Sequence, residues 1–195
     1  MSLRIGLIGG IACGKSTALK YFKSQGIDTF SADEIARSLT QKSSPCFQMI
    51  KEYCGNECLL ENGEIDRSYL RQRLLQEPAF KDWLESLLHP IIQNTLISLM
   101  NQSKTPYCVV EIPLLKNKNT YHLDRVLYIK APSSEQTARL ISRGLPNQHI
   151  EGMLKAQITE NIREQLADDI IENNEKLTDF YKNLTKLHQY YLTLK

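Results

Sequence analysis

The sequence predicts an α/β fold: a five-stranded parallel sheet flanked by helices, with an all-helical insert. Three observations carry this. Five short apolar runs, at 3–8, 27–30, 107–111, 124–130 and 168–172, alternate with segments of helical period, the pattern of a parallel sheet built from strand–helix units. Four of the nine glycines (Gly6, Gly9, Gly10 and Gly14) crowd the junction between the first run and the first helix. Between the second and third runs, strand-like stretches vanish over residues 45–101 and helical spacing takes over. A chain of 195 residues makes one domain, long enough to bury a core without staples. The expected division is a core of 1–44, 102–143 and 166–195, an insert of 45–101 and a helical lid of 144–165.

The glycine junction carries chemistry. Gly9-Gly10-Ile11-Ala12-Cys13-Gly14-Lys15-Ser16-Thr17 fits G-x-x-x-x-G-K-[ST], with Leu3–Ile8 as the strand before it and Thr17–Lys23 as the helix after it. In such a loop the backbone N–H groups of Gly10 to Thr17 turn inward on a polyphosphate. Lys15 reaches the outer phosphates, Ser16 offers a hydroxyl to Mg²⁺, and the helix adds its positive dipole end. Strand, loop and helix in this order argue against a chance match and define a P-loop NTPase fold. Cys13 is expected to contribute its backbone N–H, with a thiol reagent or oxidant at its side chain able to block the site.

Bulk composition excludes several classes. With 24 basic against 22 acidic residues, the charge supports neither a nucleic-acid nor a membrane partner. The five cysteines are odd in number, form no C-x-x-C pair, and read as reduced thiols in a cytoplasmic protein without zinc. Arg4 followed by Ile5–Cys13 imitates a secretory leader, but Gly6, Gly9 and Gly10 break its apolar run. No apolar run is long enough to span a membrane. A monomer or weak homo-oligomer is expected.

Along the chain, Gly26 is placed to end the first helix, and Ile27–Phe30 forms the second strand. Asp33 then falls at the carboxyl end of that strand, the ligand edge of an open α/β sheet. It reads either as a helix N-cap or as a chemical group. Arg37, one turn on, is either its salt-bridge partner or a second contact to one substrate. Within the insert, Asp66 caps a helix, Pro78 opens another, and Trp83 reads as core. Pro90 is expected to break that helix, and the spacing alone favours a buried His89 hydrogen-bonded to freed backbone over a ligand-facing one.

The third strand ends in Glu111, an acid at the ligand edge that a core strand would not carry unpaired, as in a carboxylate holding Mg²⁺. Ser133 or Ser134 should cap the helix that carries Arg139 and Arg143 on one face. The polar segment from Pro146 to Gln165, with Arg163 near its end, reads as a lid that neutralises phosphate charge or, equally, as an ordinary solvated hairpin. A last amphipathic helix carries Leu177, Phe180, Leu184, Leu187, Tyr191 and Leu194.

Two classes compete for this fold: a small-molecule kinase and a nucleotide switch or motor acting through partners. Asn117-Lys118-Asn119-Thr120 imitates a guanine-reading N-K-x-D element but ends in Thr120, and no D-x-x-G element occurs, so the switch is disfavoured. Further motifs narrow the kinase. Over nearly its whole length the chain resembles the dephospho-coenzyme A kinase family. Gly9–Thr17 resembles its G-G-I-x-S-G-K-S-T loop, with Cys13 for serine. Ser31-Ala32-Asp33-Glu34-Ile35-Ala36-Arg37 resembles D-A-D-x-x-A-R, Leu88-His89-Pro90 its H-P element, and Glu111-Ile112-Pro113-Leu114-Leu115 its D-x-P-L-L-x-E. Ala156-Gln157 to Arg163 and Ala167-Asp168 to Asn173-Asn174 resemble its lid and final strand. Ser31, Glu111 and Asn117 depart from acidic or shorter family residues.

The resemblance implies transfer of the γ-phosphoryl group of ATP to the 3′-hydroxyl of dephospho-CoA, with Mg²⁺ and the two substrates as partners. It implies Lys15 and the loop at the phosphates, and Ser16 with Glu111 at the metal, Asp33 being a further candidate there. Asp33 would orient the acceptor hydroxyl and receive its proton. Arg139, Arg143 and Arg163 would balance charge, with Arg143 in the catalytic set, and Asn173 would lie at the adenine end. Arg37, His89, Pro113 and Leu114 would bind the acceptor, which reverses the buried reading of His89.

Overall fold

A computed structural model describes residues 2–155, 157, 159–174 and 176–194. Ala156, part of the lid pattern, lies outside the described residues. The chain divides into two compact units, residues 1–31 with 96–195, and residues 32–95.

The first unit is built on β1 (Leu3–Gly9), β2 (Asp28–Ser31), β3 (Tyr107–Glu111), β4 (Arg125–Lys130) and β5 (Asp169–Glu172). All pairings are parallel, in the order β2-β3-β1-β4-β5. From Ile5 to Gly9 every residue of β1 is buried, as expected of a central parallel strand covered on both faces. One face carries Ile5, Leu7, Tyr107, Val109, Leu127 and Ile129 against Ala18 and Phe22 of α1 (Lys15–Ser24) and Phe180, Leu184 and Tyr191 of α9 (Leu177–Thr193). α1 ends in two crossed bonds, Gly26 N–H to Lys23 C=O and Ile27 N–H to Phe22 C=O, with Gly26 at φ 76. That left-handed turn needs glycine, and it drops Ile27 into the same core as Phe22.

The second unit holds α2 (Ala32–Leu39), α3 (Pro45–Cys54), α4 (Arg67–Gln76) and the first part of α5 (Pro78–Gln102). Its core is Ile50, Cys54, Cys58, Ile65, Leu70, Phe80 and Leu84. Asp66 caps α4 as expected, accepting from the N–H groups of Ser68 and Tyr69. Trp83 stacks on Tyr53 with ring centroids 3.9 Å apart, a packing role.

One expectation fails here. Pro90 does not break the helix: α5 runs through it for 25 residues. Leu84, Ile92 and Leu96 are buried at four- or eight-residue spacing, while His89 and Pro90 are exposed. Burial on one side of the helix holds it together, and the Ser86 carbonyl that proline cannot bond belongs to an exposed residue, which lowers the cost of leaving it outside the helix ladder. The buried reading of His89 falls with it.

The lid stretch contains α7 (Asn147–Lys155) and α8 (Glu160–Leu166), after α6 (Ser133–Ser142). The residue that precedes α6 is Pro132, without a side-chain cap, so neither Ser133 nor Ser134 has the predicted role. Among the described residues no helix is long and apolar enough to cross a membrane.

Candidate active site

The loop Gly10–Gly14 joins the carboxyl end of the central strand β1 to the first turn of α1. That is the edge where open α/β sheets bind ligands. Two residues turn the backbone left-handed, Ala12 at φ 55 and Gly14 at φ 108. Such alternation turns successive N–H groups to one side and forms an anion cradle. At Gly14 a side chain is excluded twice, since a Cβ would also meet Asn173 Nδ2 at 2.5 Å. For Ala12 the conformation costs roughly 1–2 kcal/mol. It is held from outside the loop: Arg139 Nη1 donates to the Ala12 carbonyl at 3.1 Å, and Nη2 to the Asn173 carbonyl at 2.9 Å.

Asn173 lies just past β5 and is buried, its Nδ2 donating to the Cys13 carbonyl at 2.8 Å. Arg139 and Asn173 thus both grip the loop backbone. Lys15 does the same from within, its Nζ 3.0 Å from the Gly9 carbonyl and 2.9 Å from the Gly10 carbonyl. Ser16 is exposed at the helix start. Arg143, after α6, is exposed; its N–H closes the helix on the Leu140 carbonyl, and its guanidinium has no bonded partner among the described residues.

Glu111 ends β3, in register with Leu7 of β1 on one side and Ser31 of β2 on the other. The Ser31 hydroxyl, itself buried, donates to Glu111 Oε2 at 3.0 Å. The serine that replaces a family acid therefore serves as a donor to the neighbouring carboxylate, a role the sequence reading missed. A hydroxyl and a carboxylate are hard oxygen donors, the chemistry Mg²⁺ prefers, and Mg²⁺ in phosphoryl-transfer sites takes its other ligands from phosphate and water. Ser16 and Glu111 fit that requirement. Pro113 and Leu114 form the turn after β3, Leu114 being 60% exposed. Asn117 is used locally, its side chain accepting from Asn119 N–H at the start of a short 3-10 turn.

The Cys13 side chain is closed off from solvent. It belongs to the buried core with 1% exposure. Burial pushes its thiol above the ordinary value, only partly offset by the positive charges of Lys15 and Arg163. The expected block by thiol reagents is therefore corrected: iodoacetamide should label Cys13 more slowly in the native protein than in the chain unfolded in guanidinium, because the side chain is 1% exposed and burial disfavours its thiolate. Mass spectrometry of the labelled peptide measures this, and equal rates would contradict the burial.

Arg163 of α8 is 8% exposed. Its helix is fastened to the end of β4 by Lys130, which pairs with Glu160 at 2.6 Å and Glu164 at 2.9 Å. Its guanidinium donates to Gln157 Oε1 at 3.2 Å and also holds the Tyr128 hydroxyl, against the upward push of burial on that phenol.

Asp33, Arg37 and His89 belong to the second unit and are all exposed. Asp33 is the second residue of α2, following Ser31 by two positions, so it is a first-turn acid and not the N-cap. Among the described residues Asp33 and Arg37 form no ion pair, which removes the plain salt-bridge reading. The Arg37 carbonyl accepts from Arg67 Nη2 at 3.2 Å.

Comparison with known proteins fits this geometry. A family model described as Dephospho-CoA kinase matches residues 3–179. The chain is 40% identical over 195 residues to a dephospho-CoA kinase of Hahella chejuensis, covering 99% of this chain and 94% of that one. It is 37% identical over 194 residues to that of Idiomarina loihiensis, covering 98% and 96%. Among solved structures, dephospho-CoA kinase from Campylobacter jejuni superposes with a TM-score of 0.72 at 27% identity, covering 97% of this chain and 96% of that one. With a phosphate loop on an all-parallel five-stranded sheet and relatives of this kind along nearly its full length, the chain belongs to the dephospho-CoA kinase family of P-loop kinases.

Proposed function

We propose that this chain transfers the γ-phosphoryl group of ATP to the ribose 3′-hydroxyl of dephospho-CoA, giving CoA and ADP, the last step of coenzyme A biosynthesis. The observation that carries the phosphoryl-transfer half is the set of cations on one glycine loop: Lys15 and Arg139 bonded to its carbonyls, and Arg163 reaching it through Gln157. The names of the relatives support dephospho-CoA as acceptor.

In this reading Lys15 and the loop N–H groups, apart from that of Ile11, which donates to Gln157, hold the outer phosphates, and Arg163 and Arg143 balance charge that spreads over the transferring group. Arg139 and Asn173 keep the loop in shape from its flank. Asp33 orients the acceptor hydroxyl and takes its proton. Arg37, His89, Pro113 and Leu114 contact the acceptor. Ser16 and Glu111 would hold Mg²⁺, which when bound would supply neutralisation of phosphate charge, and Ser31 would steady the carboxylate. The stretch 144–165 acts as a lid, the protein works in the cytoplasm as a monomer or weak homo-oligomer, and it has no nucleic-acid or membrane partner.

An ADP-release assay with dephospho-CoA, adenosine and shikimate as separate acceptors tests the assignment. Turnover is expected with dephospho-CoA and to fall at least about 100-fold with the others, which lack the groups the acceptor site would bind. Turnover with shikimate or adenosine alone would point to another small-molecule kinase, and ADP release without any acceptor to an NTPase.

A further inference from the structure

We propose that Gln157 is a positioning residue that couples Arg163 to the phosphate loop, and that Gln136 sets the direction in which its carboxamide points. The proposal rests on the reading of the loop as the ATP site. Gln157 Oε1 accepts from the Ile11 N–H at 2.8 Å and from Arg163 Nη2 at 3.2 Å. One oxygen thus gathers a loop N–H and a buried guanidinium from α8. Its Nε2 donates to Gln136 Oε1 at 3.4 Å, and Gln136 Nε2 donates to the Ala131 carbonyl at 2.8 Å.

Both ends of this relay fix its polarity. A carbonyl can only accept, so Gln136 must turn its nitrogen to Ala131 and its oxygen to Gln157. A backbone N–H can only donate, so Gln157 must turn its oxygen to Ile11. The two requirements agree, and neither carboxamide can flip without losing a bond at each end. Gln136 is 8% exposed, so such a loss would leave a buried group unpaired.

The loop is cut to admit the relay. A Cβ on Gly10 would lie 2.7 Å from Gln157 Oε1 and 2.9 Å from Gln136 Oε1. The absence of a side chain at Gly10 is what allows two carboxamides to rest on the loop.

The neutral group is suited to its place. Among the described residues Arg163 forms no ion pair with a carboxylate. A carboxylate at 157 would make the same two acceptor bonds. It would also neutralise Arg163 and set a negative charge against the phosphate loop. A carboxamide orients the guanidinium and leaves its charge available to the nucleotide.

A double-mutant cycle on ATP affinity tests this. ATP is titrated calorimetrically into the wild-type protein, Gln157→Ala, Arg163→Met and the double variant, with melting temperatures as the check on folding. Each single change is expected to weaken ATP roughly tenfold, the scale of one charge-assisted hydrogen bond, and the double change to weaken it no further than the worse single one. Additive losses would overturn the coupling. Gln157→Glu gives the second arm. Although it is the closest isostere, it is expected to weaken ATP more than Gln157→Ala does; a Glu variant that binds as well as wild type would show that Gln157 only packs. If the wild-type protein binds no ATP, the loop assignment and this proposal fall together. If it binds ATP and the losses add, only the coupling falls.

Discussion

Lys15→Ala should lower kcat by about 100- to 1000-fold and weaken ATP at least about tenfold, the scale expected when a charged donor is removed from a transferring phosphoryl group. Two of the three ammonium donors are already spent on the Gly9 and Gly10 carbonyls, at 3.0 and 2.9 Å. The side chain is therefore curled across its own loop, with its charge at the cradle and one donor free for phosphate. Removing it takes away that charge and also unpins two carbonyls of the turn, so binding and rate should fall together. Lys15→Arg separates the two effects. It keeps the charge, but its planar fork cannot repeat two bonds to carbonyls of adjacent residues in so short a turn. Most of the loss should remain in the arginine variant. Steady-state kinetics and calorimetry measure both; unchanged kinetics in Lys15→Ala would remove the phosphate-loop assignment.

The parts of this protein that read out of its sequence are those decided within a short window. Cys108-Val109-Val110 announces a strand buried on both faces, and Gly14-Lys15-Ser16 announces its loop, because local sterics and local hydrogen bonds set each. The failure at Pro90 has the opposite cause. Proline rules describe the helix backbone alone, whereas Leu84, Ile92 and Leu96 hold α5 from their buried side. The supports of the loop were equally hidden. Asn173 meets Cys13 across 160 residues of sequence, Gln157 meets Ile11 across 146, and Ser31 meets Glu111 across 80. The sequence offered a weak pointer to two of these: a second glycine beside Gly9 at Gly10, and a serine where the family carries an acid at Ser31. Neither pointer names its partner, since the topology that joins β2 to β3 and lays α8 beside β4 must be known first.

Asp33→Asn is expected to leave ATP affinity within about twofold of wild type and to lower kcat by about 100- to 10,000-fold, the range a positioned general base contributes. The structure sharpens what this substitution can reveal. Asp33 is exposed in the first turn of α2, without an ion pair to Arg37 and without a capping role. Among the described residues its structural contribution is a negative charge near a helix N-terminus, worth about 0.3–1 kcal/mol. In a chain of this size that corresponds to a fall of about 1–4 °C in melting temperature. Glu34, its neighbour in the same turn and also exposed, contributes a charge of the same kind. Glu34→Gln should therefore show the same small change in melting temperature with turnover near wild type. The pair of variants divides the two roles of an acid at this position. A shared loss of turnover would trace the effect to the helix dipole, and near-normal turnover in Asp33→Asn would end its assignment as base. A loss confined to Asp33, with ATP binding intact, is the result expected of a carboxylate that acts on the acceptor hydroxyl.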